Sequence, residues 1–423
     1  MIREGGSHKE GGYEKKGGKT MKVKGIVLSM AFVSLLWVGC GVSFAADKEP
    51  IPIGIIASLT GYLSEQARHL VEAQDLAVEE INSKGGVLGR PLKSFLRDDE
   101  MKPNVGARKF EELVENQKIV MEAGIVTGAV AAAVAQANRK YGILFITHSG
   151  SNTTQGPKQM LPTWFITGCT LEAFGLAGGE YATSYFGKKG FLLYPDYVHG
   201  WDIRDGFLKS IPANGGEIVG MIAVPTTTTD FTPFLTQILA KNPDYVVLQV
   251  NGMMFINCMK QAYAMGMKGK MKFLSTHANI EEINACGPEV VKDVIFVTDY
   301  FWNLPNEKNR IFIDKFMKKY GNDRRPSMRH YYQWTALHMW ADVVNKAGTV
   351  EPKKVAAGFL GYKGETAKGP IEIRTTGDHT AIQPVVVARG KGPREMKDKF
   401  DTQEIVKLYT GEKYFDSPKE KGW

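Results

Sequence analysis

The side chains best suited to chemistry stand where apolar, strand-like runs stop. Residues 51–57 give way to Ser58-Leu59-Thr60-Gly61-Tyr62-Leu63-Ser64, residues 119–126 to Thr127-Gly128, and residues 142–147 to His148-Ser149-Gly150-Ser151. Later runs end near Tyr197, His199 and Trp201, at Asn251, at His277 and at Phe301. Small residues at such ends let backbone N–H groups come close to a guest molecule. Helix N-termini favour its anionic part, and aromatic faces wall in its apolar part. This is chemistry of capture rather than of bond making.

Motifs for catalysis are absent. The sequence holds no G-x-S-x-G, no H-E-x-x-H, no C-x-x-C and no G-x-G-x-x-G after a strand. Gly17-Gly18-Lys19-Thr20 ends like a phosphate loop, but the first glycine of that motif would fall at Tyr13. The eight histidines are scattered, with no pair at metal-ligand spacing on one helix. Asp98-Asp99 has the types of an acid/base pair, yet a strand ending in acids is the ordinary form of a solvated turn. No cofactor and no metal are expected. An exported enzyme using His277 and Asp196 stands as the rival from another class.

The elements that must position these residues begin with 51–99. An apolar strand, then Leu70, Ala73, Ala77 and Ile81 at helical spacing, then Gly85-Gly86 and an alternating run at 92–97 make a β-α-β unit. Ligands of such sheets bind outside the carboxyl ends of the strands. Strand and helix periods alternate through residues 103–154 and again from 164 to 300, with apolar runs at 191–193 and 245–248 that suit strands covered on both faces. Helical patterns at 307–320 and 329–347 follow, and Trp334 and Trp340 fall at core spacing. The fold class expected is α/β, with two doubly wound parallel-sheet lobes.

Composition agrees with a globular chain. At 423 residues two lobes are the prior, and 43% hydrophobic with 23% charged residues is ordinary. Residues 1–24 hold seven Lys/Arg and three Asp/Glu, so they carry about half of the formal charge of +8. No basic run interleaved with aromatics points to nucleic acid. Residues 21–45 read as a secretory signal, with Lys22 and Lys24, an apolar stretch, and Ser43 and Ala45 ahead of a cut before Ala46. Val38-Gly39-Cys40 offers lipid anchoring through Cys40 as a variant, although Trp37 stands where a small aliphatic residue is wanted. Residues 1–20 read as non-native upstream extension, with Met21 as the start. Of Cys169, Cys258 and Cys286, a 258–286 disulfide is conceivable, and buried thiols are the plainer reading.

The turn SLTGYLSEQ, the helix end EEINSKGGVLGRPL and the closing RDDE resemble the opening of the leucine/isoleucine/valine-binding proteins, the type I periplasmic solute-binding proteins of ATP-driven importers. The resemblance covers most of 50–390 and is strongest in 51–99, 142–154, 215–251 and 229–235. It implies three crossings between lobes, near Gly168, Asp299 and Ala367. One lobe would take 50–168 and 299–367, the other 169–298 and 368–390, and 391–423 would be a charged surface tail.

In the resembled proteins a serine, a backbone group and a threonine hold the solute carboxylate. Those positions match Gly128, Ser149 and Ser151 here. The acid that holds an ammonium matches His277, and an aromatic of the second lobe matches Asn251. The resemblance implies a small organic solute, amino acid-like or an aromatic or other carboxylate, and with the acid absent from that position a neutral or aromatic carboxylate suits these residues better. The expected ligand set is Tyr62, Ser64, Thr127, Gly128, Ser149, Ser151, Tyr197, Trp201, Asn251, His277 and Phe301. The implied role is capture of a small organic solute by lobe closure, followed by delivery to inner-membrane permease subunits. The protein would be a periplasmic monomer that does no catalysis. A receptor-like sensor of the same fold is the alternative.

Overall fold

The computed structural model describes residues 48–61, 63–148, 156–276 and 278–423. The upstream extension, the signal-like segment with Cys40, and the expected ligand residues Tyr62, Ser149, Ser151 and His277 lie outside the described residues.

In chain order the first half gives β1 (Ile51–Ala57), α1 (Ser64–Ser83), β2 (Leu92–Asp98), α2 (Pro103–Gln117), β3 (Met121–Ala123), α3 (Gly128–Tyr141), β4 (Leu144–Thr147) and β5 (Trp164–Ile166). The apolar stripe Leu70, Ala73, Ala77 and Ile81 of α1 is buried, which fixes the helix against the sheet. Its end is set by Gly86, whose φ of +78° lets the chain turn so tightly that a Cβ there would lie 1.9 Å from the Arg90 carbonyl. The five strands are all parallel, in the order β2-β1-β3-β4-β5.

The chain continues through α4 (Leu171–Tyr185), β6 (Lys189–Pro195), α5 (Val198–Ala213), β7 (Glu217–Val224), α6 (Thr232–Lys241), β8 (Tyr245–Leu248), α7 (Gly252–Ala264), β9 (Lys272–Thr276), α8 (Ile280–Cys286), α9 (Pro288–Val291) and β10 (Ile295–Thr298). Strands β7-β6-β8-β9-β10 are parallel and repeat the order of the first sheet. Each sheet therefore has its switch point between its first strand and the third. The apolar runs of β6 and β8 are buried throughout, as strands covered on both faces must be.

Helices α10 (Glu307–Tyr320), α11 (Met328–Ala347) and α12 (Pro352–Phe359) follow. They return to α1: Lys315 and Trp334 bond Glu80 at 2.6 and 3.1 Å, and Arg324 bonds Glu72 at 2.7 Å. Trp334 and Trp340 are in the core. Strands β11 (Lys363–Thr366), β12 (Gly369–Ile373) and β13 (Ala381–Ile382) form a small antiparallel sheet, and β14 (Val385–Gly390) pairs antiparallel with β10.

The segment expected as a charged surface tail is different in part. Within it, β15 (Gln403–Tyr409) pairs antiparallel with β14 and closes the edge of the second sheet. Burial alternates along β15, with Glu404, Val406 and Leu408 on the open face and Ile405, Lys407 and Tyr409 on the covered one. Tyr409, Tyr414 and Phe415 join the second core, and the ring of Trp423 covers Gly377. Cys258 and Cys286 are free, buried thiols. Burial pushes the Cys258 thiol well up and the Cys286 thiol to about 12, which keeps both inert.

The chain passes between the sheets at three places, and they meet. A Cβ on Gly168 would lie 1.7 Å from the His148 carbonyl, so only glycine fits the first passage. Next to it the Cys169 N–H donates to both carboxylate oxygens of Asp299 at 3.2 Å. Lys368 Nζ lies 2.5 Å from Asp299 Oδ1, with both side chains wholly buried. The Tyr332 hydroxyl also donates to Asp299.

Candidate functional site

Strand-end loops of both sheets give the expected positions. Ser64 opens α1, half-buried, and accepts from Arg68 Nη2 at 3.3 Å. Thr127 caps α3, its hydroxyl accepting from the Val130 N–H at 3.4 Å, and Gly128 beside it is exposed. In the second sheet, Tyr197 and Asn251 stand at the N-cap positions of α5 and α7, on the two sides of the switch point. His199 links them, stacked on Tyr197 with ring centroids 5.7 Å apart and with Nε2 3.3 Å from Asn251 Nδ2. Trp201 is 40% exposed and donates its indole N–H to Asp196 at 3.0 Å. Phe301 belongs to the core, edge-on to Phe296, at the wall of a small cavity shared with Asn279, Trp302 and Ser327.

The residue that the strand-end pattern misses is Arg329. It lies in the first turn of α11 and is 8% exposed. Its Nε donates to Gln66 Oε1, in the first turn of α1, at 3.2 Å, and its guanidinium lies 5.8 Å from the centre of the Tyr332 ring. Among the described residues no carboxylate forms an ion pair with it. Burial, the largest influence, pulls its proton affinity down, and the charges of Tyr332, Asp299, Glu282 and Glu281 support the cation.

The positive charge of Arg329 is felt by histidines in strand-end loops of both sheets. His148, after β4, is 1% exposed, with neither ring nitrogen within full hydrogen-bond geometry of a described residue. Its ring stacks on Tyr332 at 5.3 Å, nearly parallel. Burial and then the Arg329 charge bring its pKa down to about 3, against the opposing pull of a weak bond to Gln333 and of the Asp299 charge. On the other side, burial and Arg329 bring that of His199 down to about 4. Both imidazoles are therefore neutral at pH 7.

Glu281, at the start of α8, also feels Arg329. Burial pushes its carboxyl up to about 7, with the charges of Glu65 and Glu282 adding and that of Arg329 opposing. It approaches His69 of α1 at 3.9 Å, which brings the start of α8 close to α1. Glu282 is committed elsewhere, completing the capping box of α8 with Asn279.

One cluster has the residue types of an acyl-transfer triad. Ser327 Oγ lies 2.9 Å from His330 Nδ1, and His330 Nε2 lies 2.9 Å from Glu72 Oε2. The Ser327 N–H donates to the same Nδ1 at 3.0 Å, which makes the group the capping box of α11. Ser327 is 3% exposed and its hydroxyl also meets His69, so nothing presents it to a substrate. Burial works against the Glu72 charge, but bonds from His330 and Arg324 hold its carboxyl at about 2.

Comparisons with known proteins agree with this fold. A model of the periplasmic binding protein family matches residues 50–397. A Leu/Ile/Val-binding protein of Rhizobium johnstonii is 28% identical over 200 residues, 46% of this chain, and the match spans about half (53%) of that relative's length. The fold is similar to that of an amino acid ABC transporter substrate-binding protein from Pseudomonas fluorescens, with a TM-score of 0.81, 23% identity and coverage of 88% of this chain and 98% of that one. It is also similar to an ABC transporter solute-binding protein from Rhodopseudomonas palustris in complex with 3,4-dihydroxybenzoic acid, with a TM-score of 0.75, 23% identity and coverage of 85% and 97%. With two sheets of one strand order, three passages between them and a family match over most of its length, this chain belongs to the periplasmic binding proteins, in their type I form.

Proposed function

We propose that this chain is the extracytoplasmic solute-binding component of an ABC importer of the branched-chain amino acid type. It captures a small organic acid by closing two lobes and presents it to inner-membrane permease subunits. The protein works as a monomer in the periplasm, reached through the signal at 21–45, and leaves its solute chemically unchanged. Ligands named for its relatives and neighbours range from branched-chain amino acids to an aromatic acid, which brackets the solute class.

The observation that carries the reading is the pair of sheets in one strand order, whose switch-point loops lie at the carboxyl ends of the strands, where ligands of such sheets bind. Closure would be a hinge motion about the three passages. A thermal-shift screen over branched-chain amino acids, aromatic acids, short dicarboxylates and their amides tests it, since saturating a site adds about 3 kcal/mol at a hundredfold excess over Kd. At least one solute is expected to raise the melting temperature with one-to-one stoichiometry and to reduce the radius of gyration in solution scattering. Turnover of the solute, or a radius unchanged by every solute that binds, would overturn the reading.

A further inference from the structure

We infer that Arg329 and His148 together form the anchor for the carboxylate of the solute, on a floor made by the Tyr332 ring. The inference rests on the solute-binding reading above and deepens it. It moves the anion site from the strand-end hydroxyls to a buried guanidinium at the start of α11.

The first ground is the charge balance of the cleft. Arg329 is 92% buried if its 8% exposure is taken from the whole, yet no described acid pairs with it. The acids near it are committed or held back. Asp299 is bonded by Lys368, by the Cys169 N–H and by the Tyr332 hydroxyl. Glu282 is bonded by Asn279. Glu281 lies at the second lobe's edge of the cleft and makes its near approach to His69. A buried cation without a partner is costly, and it is kept where something else supplies the counter-charge.

The second ground is the direction of the donors. Arg329 uses Nε on Gln66, and its two terminal nitrogens make no hydrogen bond to a described residue. The planar fork of a guanidinium matches the two oxygens of a carboxylate. His148 is buried against the same Tyr332 ring, with Gln333 as its polar neighbour and neither ring nitrogen within full hydrogen-bond geometry of a described residue. A neutral imidazole carries one N–H, so the pair offers a third donor to the same anion. Arg329 bears the charge, and His148 adds direction.

The third ground is placement. Gln66 ties the guanidinium to α1 in the first lobe, and its field reaches His199 and Glu281 in the second. A carboxylate seated there touches one lobe while the rest of the solute faces His199, Asn251 and Tyr197. The class follows: a solute with one free carboxylate, aromatic or aliphatic, for which the neutral amide is no substitute.

The test uses small carboxylates as probes on the full chain, labelled with 15N. The Arg329 Nε–H resonance is assigned by its loss in Arg329→Lys. Formate, acetate and benzoate are then titrated, with acetamide and benzamide as neutral isosteres. Saturable movement of that resonance with the acids, and none with the amides, is the expected result. An Arg329 signal that ignores all three acids, or follows the amides equally, overturns the inference. For any carboxylate that the thermal screen finds, Arg329→Gln should weaken binding by at least about tenfold, the scale of losing a charge-assisted contact. Retained affinity within threefold overturns it. If Arg329→Gln does not fold, the titration of the unaltered chain decides alone. A solute that contracts the protein while Arg329 stays silent sinks this inference and spares the binding reading. The converse, acetate at Arg329 with no solute that closes the lobes, does the reverse.

Discussion

Two buried cations lie within one helix's reach of each other and behave oppositely. At the hinge, Lys368 is wholly buried and meets Asp299 at 2.5 Å, beside Cys169 and Tyr332. In the cleft, Arg329 is nearly as buried and meets no acid among the described residues. Burial works against every one of these charges. At the hinge the partners outweigh it, so Asp299 is held below the usual carboxylate range and Lys368 above the usual ammonium range. In the cleft burial wins, and the proton affinity of Arg329 falls. A satisfied ion pair belongs to the frame, and an unsatisfied cation belongs to whatever enters. Tyr332 touches both, its hydroxyl on Asp299 and its ring against Arg329 and His148, so the frame ties down a ring that both groups meet.

The largest test of that contrast is at the hinge. Asp299→Ala leaves Lys368 buried without a counter-charge and should cost about 3–5 kcal/mol in chemical denaturation. Replacing both partners with apolar residues of similar size should recover much of the loss. A single-mutant loss below 1 kcal/mol would make the pair ornamental and the contrast empty. The cleft should answer with the opposite sign. Arg329→Met removes an uncompensated cation and keeps most of the packing, so stability without solute should hold or rise by up to about 2 kcal/mol. A marked fall would mean that Arg329 supports the fold and would weaken its assignment to the solute.

That contrast also marks what the sequence makes legible. The unit β1-α1-β2 is readable because its apolar residues recur at strand and helix periods, and the burial of Leu70, Ala73, Ala77 and Ile81 follows that stripe. The second alternation is readable for the same reason. Strand β15 is harder, because Glu404, Lys407 and the neighbouring charged segment look like solvated tail, although Ile405, Lys407 and Tyr409 alternate with Glu404, Val406 and Leu408 as an edge strand can. The switch-point residues Thr127, Tyr197 and Asn251 are found by the pattern because they open helices after strands. Arg329 is not found that way. Its burial depends on α11 packing on α1, more than 250 residues earlier, as its bond to Gln66 shows. A signal was nonetheless present: Met328-Arg329-His330-Tyr331-Tyr332 puts one permanent charge into a stretch otherwise made for the core. His148 was visible as part of a polar loop, and its role required knowing that Tyr332 lies against it.

The next effect in size is on pH. With His148 at about 3 in the folded chain and near 6.5 when unfolded, the unfolded state binds more protons between those values. Stability therefore falls as pH drops below 6.5, by up to about 1.4 kcal/mol per unit from this residue. His148→Gln should flatten that acid limb in denaturation curves at pH 6.5 and 5. A bound carboxylate should flatten it too, because an anion at Arg329 removes the repulsion that His148 feels. If the solute leaves the limb unchanged while His148→Gln flattens it, His148 is buried beside the site and takes no part in it.

The smallest effect tests the far wall of the cleft. Glu281 is raised to about 7 by burial first, with Glu65 and Glu282 adding, while its unfolded value is near 4.5. Its sign is opposite to that of His148: the folded state holds the extra proton, so stability from this group is lost as pH rises through 4.5 to 7. Its side chain is 38% exposed, so water screens the effect and Glu281→Gln should gain under about 1 kcal/mol at pH 8 and nothing at pH 5. The same substitution sharpens the solute class. If the guest carries an amine or hydroxyl that Glu281 accepts from, its affinity should fall in Glu281→Gln while Arg329 still answers acetate. If affinity holds, the second lobe recognises the guest through Tyr197, His199 and Asn251, and the carboxylate anchor is the only ionic contact that the solute needs.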